Sequence, residues 1–130
     1  MSDRICIHSK GERHAHVSSE NLLSCCYRWA GTRGTWCYYH TKCFCSCGFG
    51  CNGGFPGAAW SYWQRKGLVS GGQYGSGQGC QPYIIRPCEH HVNGSRGPCE
   101  EGAATPKCHR SCDNAEYNVP YEQELVPQID

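Results

Sequence analysis

The sequence predicts a loop-rich α+β domain held together by disulfides, with one long helix near residues 56–66. Three observations lead there. Thirteen cysteines and seventeen glycines among 130 residues, with seven prolines and only 38% hydrophobic residues, are the composition of a cross-linked scaffold. Residues 56–66 carry the one extended stretch with a helical start, a shared apolar face and a helical stop. From Leu68 onward Gly, Pro and Cys recur too closely for anything beyond short strands, such as Tyr83 to Ile85. A chain this long makes one domain and buries roughly 65–70% of its unfolded surface, but Cys and Gly fill much of the would-be core. Cross-links have to supply stability.

The elements follow in order. Ser18 or Ser19 can cap a short helix over Glu20, Asn21, Leu22 and Leu23 up to the Cys25-Cys26 pair. Residues 27–46 have neither a helical nor a strand period and mix aromatics, glycine and alternating cysteines in a way that suits no packed element. Residues 47–67 open on a glycine-rich turn and continue as the long helix. Pro56 suits its first turn, Ala59, Trp60 and Trp63 share a face, Arg65 and Lys66 suit the negative end of the helix dipole, and Gly67 suits the C-terminal cap. Residues 68–120 read as cross-linked loops, and residues 121–130 as an acidic, frayed tail.

Twelve Lys and Arg against eleven Asp and Glu give a net charge of +1, which argues against a basic nucleic-acid surface or a polybasic membrane anchor. No run is long and apolar enough to span a membrane, and the first seventeen residues lack the apolar core of a signal peptide. Disulfides belong to secretory, extracellular and lysosomal settings, so composition and targeting disagree. Either the cysteines bind metal in a reducing compartment, or the chain is a piece of a larger protein. The odd cysteine count also leaves at least one thiol without an intrachain partner.

Cys51-Asn52-Gly53-Gly54, followed by Phe55-Pro56 and the Ala-Ala-Trp helix, resembles the segment after the first substrate-binding turn of papain-family cysteine proteases. Lys66 to Gly72, Gly79-Cys80-Gln81-Pro82-Tyr83, Pro87-Cys88-Glu89-His90-His91-Val92-Asn93-Gly94-Ser95-Arg96 and Thr105-Pro106-Lys107-Cys108 resemble cathepsin B, including its occluding loop. Ser2 to Ile7 and Ser19 to Cys26 resemble it as well. The resemblance covers residues 2–26 and 47 to about 121.

The resemblance implies part of a papain-like fold: a helical segment at 1–26, then the rest of the mainly helical half at 47–120 with an occluding loop at 88–99. It implies four disulfides, Cys25 with Cys108, Cys26 with Cys47, Cys80 with Cys112 and Cys88 with Cys99, leaving Cys6, Cys37, Cys43, Cys45 and Cys51. Gly53 and Gly54 would pair with substrate backbone next to the scissile bond, where the absence of a side chain permits close approach. His90 and His91 would receive a substrate's C-terminal carboxylate, since imidazole is largely cationic at acidic pH. Glu89 and Arg96 would anchor the loop by ion pairs. Asn93-Gly94-Ser95 is a glycosylation sequon. His8, His14, His16 and His109 read as solvated.

The family's nucleophile lies in a C-G-[SA]-C-[WY] signature with His and Asn far downstream, and this sequence contains neither part. A thiolate needs a neighbouring base or positive environment to attack, so catalytic residues are none and the chain is expected to be inactive by itself. The expectation is a fragment of a cathepsin B-like thiol peptidase, lysosomal or extracellular in the complete enzyme. That enzyme would act on peptide or protein substrates as endopeptidase and dipeptidyl carboxypeptidase, with no cofactor. Residues 27–46 separate Cys26 from Cys47 and read as an insertion, with the character of translated intron. Two alternatives stand beside this. One is a non-catalytic decoy that binds protease inhibitors, and the other a small metal-binding protein using His40, Cys43, Cys45, Cys47 and Cys51, although C-x-C-x-C is not the usual zinc spacing.

Overall fold

The computed structural model describes residues 10, 16–26, 51, 54–89, 92, 94–99 and 103–125. Three helices occur among them: α1 over Ser19–Cys25, α2 over Pro56–Lys66 and α3 over Tyr121–Glu124. The segment at 27–46 lies outside the described residues.

Of the two candidate caps, Ser18 starts α1: its backbone is extended and its hydroxyl accepts the Asn21 N–H at 3.0 Å. The helix closes where the Cys26 N–H reaches the Leu22 carbonyl. α1 buries a polar face, Glu20, Asn21 and Ser24, while Leu22 and Cys25 are partly buried. α2 begins at Pro56, whose missing N–H costs nothing in the first turn, and ends at Gly67 with φ 75°. The Gly67 N–H closes the last turn on the Trp63 carbonyl at 2.8 Å. Tyr62 and Trp63 are its buried residues, so the inward face is rotated from the expected Ala59, Trp60 and Trp63. Trp60 packs partly buried, its ring 5.6 Å from that of Trp63.

Residues 68–72 run between two neighbours in a ladder-like arrangement. On one side the Ser18 N–H donates to Val69 and the Gly71 N–H to His16, and on the other Gln81 donates to Ser70 and Tyr83 to Gly72. Val17 and Ser70 form an antiparallel bridge. Residues 83–85 are not a strand, because the amides that would extend a ladder are diverted: the Ile84 N–H donates to the Glu20 carboxylate.

Extended backbone sends consecutive side chains to opposite sides, and Leu68 and Val69 use this to join two clusters. Leu68 packs with Cys26, Tyr62 and Trp63, whereas Val69 packs with Cys80 and Tyr121. Tyr121, the first residue of the predicted tail, is 6% exposed and opens α3. Residues 126–130 lie outside the described residues.

A buried polar network links these parts. The Ser18 hydroxyl donates to the Gln81 carbonyl at 2.6 Å, and the Asn21 amide donates to Gln81 Oε1 at 2.8 Å and to the Tyr121 hydroxyl at 2.9 Å. The Gln81 amide donates in turn to the carbonyls of Ser111, at 2.8 Å, and His109, at 3.3 Å. Asn21 Oδ1 is buried without a partner.

Candidate functional site

Disulfides set the loops that carry the candidate residues. Cys25 joins Cys108, Cys80 joins Cys112 and Cys88 joins Cys99. Cys26 is disulfide-bonded as well, to a partner outside the described residues, where Cys47 also lies.

The Cys88–Cys99 bond closes a loop whose two ends also pair through the backbone. The Glu89 N–H donates to the Gly97 carbonyl at 2.9 Å and the Cys99 N–H to the Glu89 carbonyl at 3.1 Å, giving a parallel bridge between Glu89 and Pro98. The Glu89 carboxylate folds back across the loop and accepts the Arg96 N–H at 3.3 Å. Its partner in this loop is thus a backbone amide, and Gly94 lies so close to the carboxylate that a Cβ there would meet it. His90, His91 and Asn93 lie outside the described residues.

Gly54 is exposed at the entrance to α2, beside an exposed Phe55, while Gly53 lies outside the described residues. Cys51 is a free thiol of intermediate exposure whose N–H donates to the Thr105 hydroxyl at 3.0 Å. No imidazole hydrogen-bonds a thiol among the described residues. His16 is exposed, but His109 is not simply solvated: its Nε2 lies 2.7 Å from Asp113 Oδ1, one helical turn along the chain. No three His, Cys, Asp or Glu side chains gather as a metal ligand set among the described residues, and of the zinc candidates only Cys51 is described.

Burial and neighbouring charge perturb several groups. Burial pushes the Glu20 carboxyl above its ordinary range, the Ile84 N–H opposes this, Asp113 reinforces it and His109 opposes it. Burial also raises the phenols of Tyr62, Tyr83 and Tyr117, and the carboxylate of Glu124 adds to the shift at Tyr117. Tyr117 stands between two partners, with its hydroxyl donating to Glu124 Oε1 and meeting the Ser70 hydroxyl at 3.3 Å.

Sequence reasoning gave no role to Asn21, Gln81, Tyr121, Ser70, Tyr117 or Glu124. Their contacts span 60 residues for Asn21 to Gln81, 100 for Asn21 to Tyr121 and 47 for Ser70 to Tyr117, and no local pattern announces such pairs.

The stapled loop, the exposed glycine ahead of α2 and the cross-linked segment around Cys108 and Cys112 agree with what sequence comparison shows. Residues 1–128 match the model of the papain family cysteine proteases, and the chain belongs to that family. Within it, the chain is similar to cathepsin B-like proteinases. It is 41% identical over 125 residues to a cathepsin B-like cysteine proteinase of Schistosoma japonicum, covering 95% of this chain and 31% of that protein. It is 45% identical over 114 residues to cathepsin B-like cysteine proteinase 6 of Caenorhabditis elegans, covering 86% of this chain and 25% of that protein. The corresponding figures for proteinase 5 of the same organism are 44% over 127 residues, 95% and 33%. The chain therefore spans a third or less of the length of these relatives. No helix among the described residues is long and apolar enough to cross a membrane.

Proposed function

We propose that this chain forms one wall of the substrate cleft of a cathepsin B-like thiol peptidase and does not hydrolyse peptides by itself. The reading rests chiefly on the Cys88–Cys99 loop, in which a disulfide and a backbone bridge at Glu89 hold together the ends of the segment that carries His90 and His91. In this reading the two imidazoles receive the carboxylate of a peptide's C-terminus, and Gly53 and Gly54 offer backbone to the substrate near the bond to be cut. Cleavage of that bond would proceed by acyl transfer through a thioester, with a thiolate as nucleophile and an imidazole as proton carrier.

Two features support inactivity of the chain as it stands. Its sequence has no C-G-[SA]-C-[WY] signature, and Cys51, the free thiol among the described residues, has no imidazole bonded to it. The same reading pairs Cys26 with Cys47, makes Asn93 a glycan acceptor and places the protein in a lysosomal or extracellular compartment. Assay of the purified 130-residue chain with a fluorogenic dipeptidyl substrate at acidic pH tests it. No turnover above the buffer blank is expected, and cleavage abolished by a thiol-alkylating reagent would overturn the proposal.

A further inference from the structure

A cavity of about 270 Å³ lies on the side of the ladder opposite the stapled loop's own pairing, and its lining includes Val17, Leu68, Val69, Ser70, Tyr117 and Glu124. Glu124 is the only Asp, Glu, Lys or Arg side chain on that lining. It forms no ion pair with a Lys or Arg among the described residues, and its one hydrogen bond comes from the Tyr117 hydroxyl, to Oε1. The other carboxylate oxygen is left to accept.

The hydrogen bonds behind the carboxylate all run toward it. The Cys80 N–H donates to the Ser70 hydroxyl at 3.1 Å, that hydroxyl donates to Tyr117 Oη at 3.3 Å, and Tyr117 donates to Glu124. Such a chain polarises its members in one direction and holds the terminal acceptor in place. Burial and Glu124 both raise the Tyr117 phenol, so it remains a donor. The walls on the other side are the aliphatic side chains of Val17, Leu68 and Val69. A carboxylate fixed at one end of an apolar-walled cavity, beside an aromatic ring, suits a cation carried on an aliphatic stem. The stem would cover the apolar wall, while the charged head would meet the carboxylate and the ring's electron-rich face.

We propose that this cavity is a binding site for an alkylguanidinium or alkylammonium group, with Glu124 as its counter-ion and Tyr117 as the residue that positions that carboxylate. The chemistry is shared by a free amine or guanidine solute and by an arginine or lysine side chain of a polypeptide. The site requires nothing of the peptidase reading.

Titration of the full chain, followed by amide NMR shifts, tests it with three probes: n-butylguanidinium, n-butanol as the uncharged stem, and a blocked Gly-Gly-Arg-Gly-Gly peptide. Saturable shifts at the amides of Ser70, Gly71 and Gly79 are expected with butylguanidinium, at an affinity on the order of millimolar as befits a ligand of few atoms. Glu124→Gln should weaken binding at least about tenfold, since the neutral amide keeps the shape and loses the charge. Tyr117→Phe should weaken it less, and Glu122→Gln, an exposed neighbour outside the lining, should leave it unchanged. Tighter binding of the peptide than of butylguanidinium assigns the site to a polypeptide side chain, and the reverse order assigns it to a free solute. Equal shifts with butanol, undiminished binding by Glu124→Gln, or no saturable shift up to about 50 mM would each overturn the proposal.

Discussion

Gly71 sits where three segments approach too closely for a side chain. A Cβ on it would collide with the Gln81 carbonyl and lie 2.7 Å from Ser18 Cβ, both of them parts of buried residues that have no room to retreat. Gly71→Ala should therefore destabilise the fold by about 1–3 kcal/mol, the usual cost of overpacking, read as a lower urea midpoint with an unchanged slope. An unchanged midpoint would mean that the ladder opens more easily than its hydrogen bonds suggest. Glu20 poses the electrostatic counterpart. It is 2% exposed and holds only the Ile84 N–H, with His109 and Asp113 as the charged groups facing it. Because burial raises its folded-state pKa above the unfolded value, ionisation opposes folding. Its favourable contribution is thus complete below the unfolded pKa, near 4.3, and is lost as pH rises through the raised folded value. Comparing denaturation midpoints from about pH 4 to about pH 7, the parent should lose stability relative to Glu20→Gln as pH rises. Parallel curves for the two proteins would show that the carboxyl is solvated in the fold.

Among the elements, α2 shows how far local chemistry reaches. Pro56 and Gly67 mark its ends because a proline's fixed φ and a glycine's free one act within a single turn, so both boundaries are legible in the sequence. Gly67→Ala forces a Cβ into a positive-φ position and should cost roughly 1 kcal/mol, measurable by thermal denaturation. The inward face of α2 was less legible, since Tyr62 and Trp60 are both aromatic and only the position of Leu68 and Cys26 decides which is buried. Residues 83–85 misled for a related reason: a β-branched run reads as a strand, yet the side chain of Glu20, 64 residues away, takes the Ile84 amide. Cysteine pairing is not readable from spacing at all, because many connectivities satisfy it, and only likeness to relatives selects among them. Once the pairs are known, their loops order their effects. Sequence separations of 83, 32 and 11 give loop-closure contributions of about 4.6, 3.7 and 2.8 kcal/mol for Cys25–Cys108, Cys80–Cys112 and Cys88–Cys99. Replacing each pair by alanine in turn should lower the denaturation midpoint in that order. Loss of Cys88–Cys99 costing most would instead point to a stapled loop that supports the core.

At the scale of the whole molecule, the described apolar core is small and divided. Its fully buried hydrophobic members are Cys26, Tyr62, Trp63, Leu68, Val69, Cys80 and Tyr121, split between two clusters that meet through the Leu68-Val69 backbone. The polar network between them is only partly satisfied, because Asn21 Oδ1 lacks a partner, and a buried acceptor left in that state costs about 1–3 kcal/mol. Neither cluster has the apolar area to offset the conformational entropy of its own loops. Two of the three placed disulfides cross between these parts: Cys25–Cys108 ties α1 to the segment whose carbonyls hold Gln81, and Cys80–Cys112 sits in the second cluster against Tyr121. Reduction should therefore remove the native packing as one event. On titration with a phosphine reductant at neutral pH, the near-UV circular dichroism of Trp60 and Trp63 should be lost together with amide protection at Val69 and Gln81, in a single transition. If the tryptophan signal survived full reduction while the protection at Gln81 disappeared, the cluster around Trp63 would be an independently stable unit, and the disulfides would be holding the loops to a core already formed.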